Sequence, residues 1–304
     1  MTQPLLQRLW IYQAERFPLA KTMPLLAVFS AASICVSAQL SGRALPHWLG
    51  FVAAFVVVMA LFFQLRVCDE YKDLEDDQKY RPERPIPRGL VSLSTILKLG
   101  LLTMPLAALV TWLWYGPVLW LLLLVWLWLA AMTAEFGVPH WLKARPVLYL
   151  LSHMAIMPLI DLLLTSFEWA LHGEPASKLW IFLALSFVNG CVLEIGRKLW
   201  ATENEITGVE TYSGLWGPQR AAQIWLAFVA VSCALLVAVG FATGVGWASL
   251  AIGVVGFAIC AKSAVAYMRV PTKAAQERMD MLAGLWVFGC YAVAGFLPLI
   301  IKVF

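Results

Sequence analysis

Seven of the chain's 18 acidic residues fall between positions 69 and 83, in the segment RVCDEYKDLEDDQKYRPERPIPRG. Asp69, Asp73 and Asp77 recur every four residues. A helix running through them would stack the three carboxylates on one stripe, with Glu70 beside Asp69 and one step from Asp73. Like charges at that spacing repel unless a cation offsets them. Hard oxygen donors with neither Cys nor His suit Mg²⁺, which is seldom caged by protein alone and takes phosphate oxygens as co-ligands. Arg66, Lys72, Lys79, Arg81, Arg84 and Arg88 are interleaved with the acids. Acids for Mg²⁺ beside bases for phosphate oxygens are the requirements of a diphosphate site. The candidate metal ligands are therefore Asp69, Glu70, Asp73 and Asp77, and Arg66, Lys72 and Arg88 are candidate diphosphate contacts. Arg84 and Arg88 either meet phosphate or hold the loop. Glu75 and Asp76 fall between the spaced positions and read as solvated.

A second cluster lies in EIGRKLWATENEITGVETYSGLWG. Glu194 ends an apolar stretch, where an ionised group is costly without a partner. Arg197 and Lys198 follow it, either as diphosphate contacts or as charges that flank a membrane span. Glu203, Glu205 and Glu210 come later. Asn189 reads as a helix-packing hydrogen-bonder, His153 as a packing group or part of an acceptor site, and Asp161 as structural.

The elements that carry these clusters follow from composition. Of 304 residues, 62% are hydrophobic and 13% charged, against roughly 45–50% and 25% in soluble domains. A disordered chain, a nucleic-acid-binding module and an ordinary cytosolic enzyme are excluded, leaving an all-α membrane bundle, since lipid forces each helix to satisfy its own backbone. Nine candidate spans are expected near 22–42, 46–66, 94–115, 117–135, 146–166, 177–198, 219–241, 246–268 and 281–302. With the N-terminus inside, 19 of the 22 Lys and Arg lie on the inner side and only Arg43, Lys178 and Lys302 outside. That asymmetry sets a cytoplasmic N-terminus and puts both clusters on the cytoplasmic face. Residues 67–92 and 194–218 are then cytoplasmic active-site loops of a single domain spanning 1–304. Both clusters follow an even-numbered span, which suggests two related halves. The stretch before the first span (Leu5, Leu6, Leu9, Trp10, Tyr12) is amphipathic and either lies on the membrane surface or is a solvated tail. The six Cys have no metal-type spacing and read as small apolar residues.

DExxDxxxD followed by RPERPIPRG resembles the first aspartate-rich motif of the UbiA-type intramembrane prenyltransferases. Asp69-Glu70 takes the place of that family's Asn-Asp, and Asp73 and Asp77 match its next two acids. Arg84-Pro85-Ile86-Pro87-Arg88-Gly89 matches the box that follows. The second motif departs from the family's DxxxD: Glu194 stands for the first acid, but Lys198 occupies the place of the second. The missing acid comes from Glu203 or Glu205 or is absent, in which case Arg197 and Lys198 replace a second Mg²⁺. Gly208 and Thr211 resemble the trailing Gly and Thr. The resemblance implies a Mg²⁺-dependent enzyme that ionises an isoprenyl diphosphate to an allylic cation and passes the isoprenyl group to a hydrophobic aromatic or lipid-precursor acceptor. It implies Asp69, Asp73, Arg84, Glu194 and Lys198 as the catalytic set, with Glu194 and Glu203 added to the metal ligands. A terpene cyclase on the same fold is the alternative. A transporter is a further one, disfavoured because the acids gather at one face and not at mid-membrane. The topology suggests a bacterial-type plasma membrane.

Overall fold

The computed structural model describes residues 3–303, and side chains to 301, so the side chain of Lys302 lies outside the described residues. Every regular element among the described residues is helical. The order is α1 (Leu5–Arg16), α2 (Leu19–Ser41), α3 (Trp48–Lys72), α4 (Leu74–Tyr80), α5 (Leu93–Tyr115), α6 (Leu119–Thr133), α7 (Pro139–Lys143), α8 (Pro146–Met154), α9 (Ile156–Trp169), α10 (Leu179–Gly196), α11 (Tyr212–Trp216), α12 (Pro218–Thr243), α13 (Gly246–Arg269) and α14 (Lys273–Val303).

Eight helical stretches are long and apolar enough to cross a membrane, where the sequence suggests about nine. The difference lies in Leu93–Thr133, a single 41-residue apolar stretch. As straight helix it would measure roughly 60 Å, about twice the hydrocarbon thickness. The chain bends within it: Tyr115 is extended (φ −162°, ψ 108°) and a short 3₁₀ turn at Gly116–Val118 follows. The halves α5 and α6 then both reach Gln64 of α3, which donates to Thr103 Oγ1 (3.0 Å) and accepts from Trp126 Nε1 (2.8 Å). A second bend separates α8 from α9, because Pro158 has no N–H to give the carbonyl of Met154.

The exposed apolar side chains, such as Leu102, Trp112 and Leu113 of α5 and Trp120 and Leu127 of α6, form a surface suited to lipid. The interior is bound by small residues and polar pairs. α2 packs between α14, α9 and α3, and a Cβ on Gly295 of α14 would lie 2.5 Å from Ala32 Cα of α2, so the two backbones cross at glycine distance. Ser33 Oγ and Tyr291 Oη donate to the buried Asp161 at 2.6 and 2.5 Å, tying α2, α9 and α14 together. Ser232 Oγ donates to Asn189 Oδ1 (2.7 Å), joining α12 to α10. Both polar residues thus have the packing roles their positions suggest. All six Cys are free.

The amphipathic N-terminal stretch is the helix α1. It packs Tyr12 inward and leaves Leu5, Leu6 and Trp10 exposed. Arg88 chelates Glu15 of α1 with both terminal nitrogens (2.9 and 2.7 Å), so α1 is strapped to the loop after α4.

Candidate active site

The C-terminal ends of α3, α6 and α10 and the start of α8 meet at one end of the bundle. α3 ends at Lys72, but the helical hydrogen-bond ladder continues through the joint: Asp73 N–H donates to Asp69 O and Asp77 N–H to Asp73 O, at 2.9 and 2.8 Å. Asp69 and Asp73 therefore stay one turn apart. Asp73 itself sits at φ −91°, ψ 5°, away from helical values, and this local unwinding separates α3 from α4.

Asp77 is engaged by arginines, although its charge still acts on Asp73. Its buried carboxylate accepts from Arg84 Nη1 at 2.9 and 2.7 Å and pairs with Arg81 Nη2 at 2.8 Å. Pro82 and Pro85 fold the intervening chain into the turns that bring Arg84 back. Of the two roles open to Arg84 and Arg88, holding the loop is the one seen. Glu70 faces away from the stripe, buried beneath α1, where Arg16 Nε donates to it at 2.5 Å and Tyr12 Oη lies 3.5 Å off. Burial, then the Glu70 charge, pushes the Tyr12 phenol well above its usual range. Glu75 and Asp76 are exposed, as their spacing implies.

Asp69 and Asp73 remain. Asp69 has one long pairing, 3.5 Å to Arg66 Nη1. No ion pair or side-chain hydrogen bond engages Asp73 among the described residues. Burial, with the neighbouring Asp69 charge, raises its carboxyl above the ordinary range. Two like-charged carboxylates on one stripe, one of them desolvated and without a base, form the donor set that a single hard cation offsets. Among the described residues no three His, Cys, Asp or Glu side chains come together as a metal cage. The pair fits a Mg²⁺ that completes its shell with phosphate and water.

Across the mouth, the buried Glu194 holds Arg197 (Nη2, 2.5 Å) and Lys198 (Nζ, 2.9 Å). Both bases are partly exposed and keep further N–H donors free to point outward. The Glu194 charge raises the Arg197 pKa first, and the Asp69 charge adds to it, so the two clusters stand within electrostatic reach. Lys198 also sits over the Tyr212 ring at 5.8 Å, and burial with the Glu194 charge pushes the Tyr212 phenol well upward.

The two later acids are engaged within the loops. Glu203 is exposed and accepts from the Lys273 backbone N–H (3.2 Å) at the start of α14. Glu205 accepts from Thr211 Oγ1 (2.8 and 2.7 Å) and Ser213 Oγ (2.7 Å), and Thr211 in turn caps α11 by accepting from Gly214 N–H at 2.9 Å. The loop after α10 is anchored by Tyr267 Oη donating to Trp200 O and by Gln276 Oε1 accepting from Ala201 N. Gly208, at φ +86°, packs directly on the Tyr80 ring, leaving no room for a Cβ. The loop after α10 thus touches the end of α4.

One group extends beyond the two motifs and shares only Lys72 with the first. Lys72 Nζ donates to Tyr149 Oη (2.6 Å), lies 3.2 Å from Glu135 Oε1 and 3.5 Å from His153 Nε2. The His153 ring stacks on Tyr149 with centroids 3.9 Å apart. Glu135 is buried, and it and Phe136 are the two non-glycine residues with positive φ among those described (+48° and +52°). Such a conformation costs roughly 1–3 kcal/mol per residue and persists only where surroundings impose it. Three signals pointed there: a lone acid ending an apolar span, the Gly137 that follows it, and the Tyr149–His153 spacing of four.

A model of the UbiA prenyltransferase family matches residues 27–287. No curated protein matches the chain by sequence. Among solved structures, a UbiA homologue from Aeropyrum pernix K1 in its apo form superposes with a TM-score of 0.66 at 17% identity, covering 91% of this chain and 98% of that one. A digeranylgeranylglyceryl phosphate synthase gives a TM-score of 0.62 at 15% identity, covering 96% and 99%. These likenesses extend over nearly the whole fold.

Proposed function

Since the chain belongs to the UbiA prenyltransferase family, we propose that it transfers an isoprenyl group from an isoprenyl diphosphate to a hydrophobic acceptor, with Mg²⁺ and inside the membrane. The observation that carries this reading is the Asp69–Asp73 pair: two carboxylates one turn apart, Asp73 without an ion-pair partner among the described residues and the Asp69 charge acting on Arg197. In this reading Asp69 and Asp73 hold Mg²⁺, which when bound neutralises charge on the departing diphosphate. The outward N–H groups of Arg197 and Lys198, with Arg66, take the remaining phosphate oxygens. Glu194 keeps the two bases aimed and lowers their net charge to that of one cation, so the diphosphate is bound without being trapped. The loops that meet at Tyr80 and Gly208 exclude water from an allylic cation, and the tail lies among the helices or in lipid. The basic end of the bundle is the cytoplasmic one, on the charge asymmetry of the loops.

The experiment is incubation of detergent-purified protein with labelled C10, C15 and C20 prenyl diphosphates, with and without Mg²⁺. Mg²⁺-dependent diphosphate release from at least one donor is expected. No release from any donor refutes the reading, and release that needs no acceptor and yields a cyclised hydrocarbon redirects it to a cyclase.

A further inference from the structure

We propose that Glu135 is the proton acceptor for a hydroxyl-bearing acceptor substrate, an inference that rests on the prenyl-transfer reading above. The argument is a count of hydrogens around its carboxylate. Oε1 accepts from Tyr149 Oη at 3.2 Å and pairs with the Lys72 ammonium, also at 3.2 Å. Oε2 is buried and makes no hydrogen bond among the described residues. His153 Nε2 lies 3.7 Å away. That nitrogen brings no proton in its neutral form. Nδ1 lies 2.9 Å from the Tyr149 carbonyl, which only accepts, so Nδ1 carries the hydrogen and Nε2 presents a lone pair. Lys72 cannot fill the gap either. Its ammonium donates to Tyr149 Oη and turns toward Glu135 Oε1 and His153 Nε2, and it makes no hydrogen bond to Oε2.

Oε2 is therefore a buried acceptor without a donor, which is unfavourable. The group that fits is an incoming O–H. The site is also in the right place. Lys72 is adjacent in sequence to Asp73 and its charge is felt there, so the vacant acceptor stands one side chain away from the diphosphate end. Positive φ at Glu135 and Phe136 holds the carboxylate there. The charged and titratable groups around it are Lys72 from α3, Tyr149 and His153 from α8, and Glu194 from α10 within electrostatic range of His153.

The step balances. A lone pair of the acceptor oxygen forms the bond to C1 of the isoprenyl group. The C1–O bond to diphosphate breaks, and its electron pair leaves on diphosphate. The O–H electron pair stays on the acceptor oxygen, and the proton passes to Oε2, giving an ether and a neutral Glu135 that later releases the proton to water.

The test uses full-length protein in detergent, a prenyl diphosphate that the wild type ionises, and dodecanol and phenol as hydroxyl probes. Wild type is expected to form the alkyl or aryl ether. Glu135→Gln should lower ether formed per diphosphate released by about 100-fold or more, the usual range for a general base. Diphosphate release without acceptor, and the donor KM, should stay within about twofold. Formate should restore part of the transfer in Glu135→Ala, which a merely structural carboxylate would not show. Where those variants do not fold, Glu135→Asp, which keeps a charge opposite Lys72, must show the same selective loss. Equal loss of release and transfer, transfer at the wild-type ratio in any of these variants, or a wild type that releases diphosphate but transfers to neither probe overturns the proposal. Absence of release from every donor overturns instead the parent reading.

Discussion

Asp77 belongs to the acid motif by spacing and to a latch by structure, and one substitution separates the two. Asn at 77 keeps the shape and one carbonyl oxygen but removes the charge that three contacts from Arg81 and Arg84 share. A hydrogen bond to a charged group contributes about 1.5–3 kcal/mol. Both guanidinium groups are about one-fifth exposed (20% and 22%), so screening reduces the sum. A net loss of about 2 kcal/mol from the closed loop corresponds to about 30-fold more of its open form, at tenfold per 1.4 kcal/mol. Limited trypsinolysis reads that population directly. Arg81 and Arg84 each precede proline, so trypsin cuts the segment only after Lys79 and Arg88. When reclosing outpaces cleavage, initial cutting at those two bonds should rise about 30-fold in Asp77→Asn. The Mg²⁺ concentration for half-maximal turnover should move by less than about threefold. Unchanged proteolysis together with a tenfold or larger shift in Mg²⁺ demand would show that Asp77 is a metal ligand and that the latch reasoning is wrong.

Three further outcomes follow from the geometry. Gly208→Ala should separate the two loops, because its Cβ has no room beside Tyr80 and its φ is +86°; a loss of roughly 1–3 kcal/mol is expected, read as faster proteolysis of residues 199–211 and lower activity. Asp73 binds its proton more tightly folded than unfolded, so its ionisation opposes folding above the ordinary carboxylate range, and that penalty disappears once pH falls below it. In EDTA, Asp73→Asn should therefore raise Tm at neutral pH and lose the advantage at low pH, and equal Tm at pH 7 would contradict this. Gly295→Ala should lower Tm through the α2–α14 crossing, where its Cβ meets Ala32 at 2.5 Å, without altering donor KM.

The bundle, the gathering of acids and bases at one end and the packing roles of Asn189 and Asp161 were legible in the sequence, because hydropathy and charge placement in lipid leave few alternatives. What was not legible is which acid each base takes. Arg84 reaches Asp77 only through the turns at Pro82 and Pro85, and Glu70 is claimed by Arg16, 54 residues away. Spacing of four aligns Asp69 with Asp73, but the helix unwinds at Asp73 and Asp77 is taken by Arg81 and Arg84. The Lys72–Glu135–Tyr149–His153 group joins α3, the turn after α6 and α8, so no single local pattern contains all of it.

Binding of Mn²⁺, as a paramagnetic substitute for Mg²⁺, tests the site most directly. In electron paramagnetic resonance titrations with a non-ionisable thiodiphosphate analogue of the donor, tight Mn²⁺ binding is expected only with the analogue present. It should be lost in both Asp69→Asn and Asp73→Asn and retained in Asp77→Asn. Tight binding that survives both Asp69→Asn and Asp73→Asn, or that disappears in Asp77→Asn alone, contradicts a metal held with the diphosphate at the end of α3.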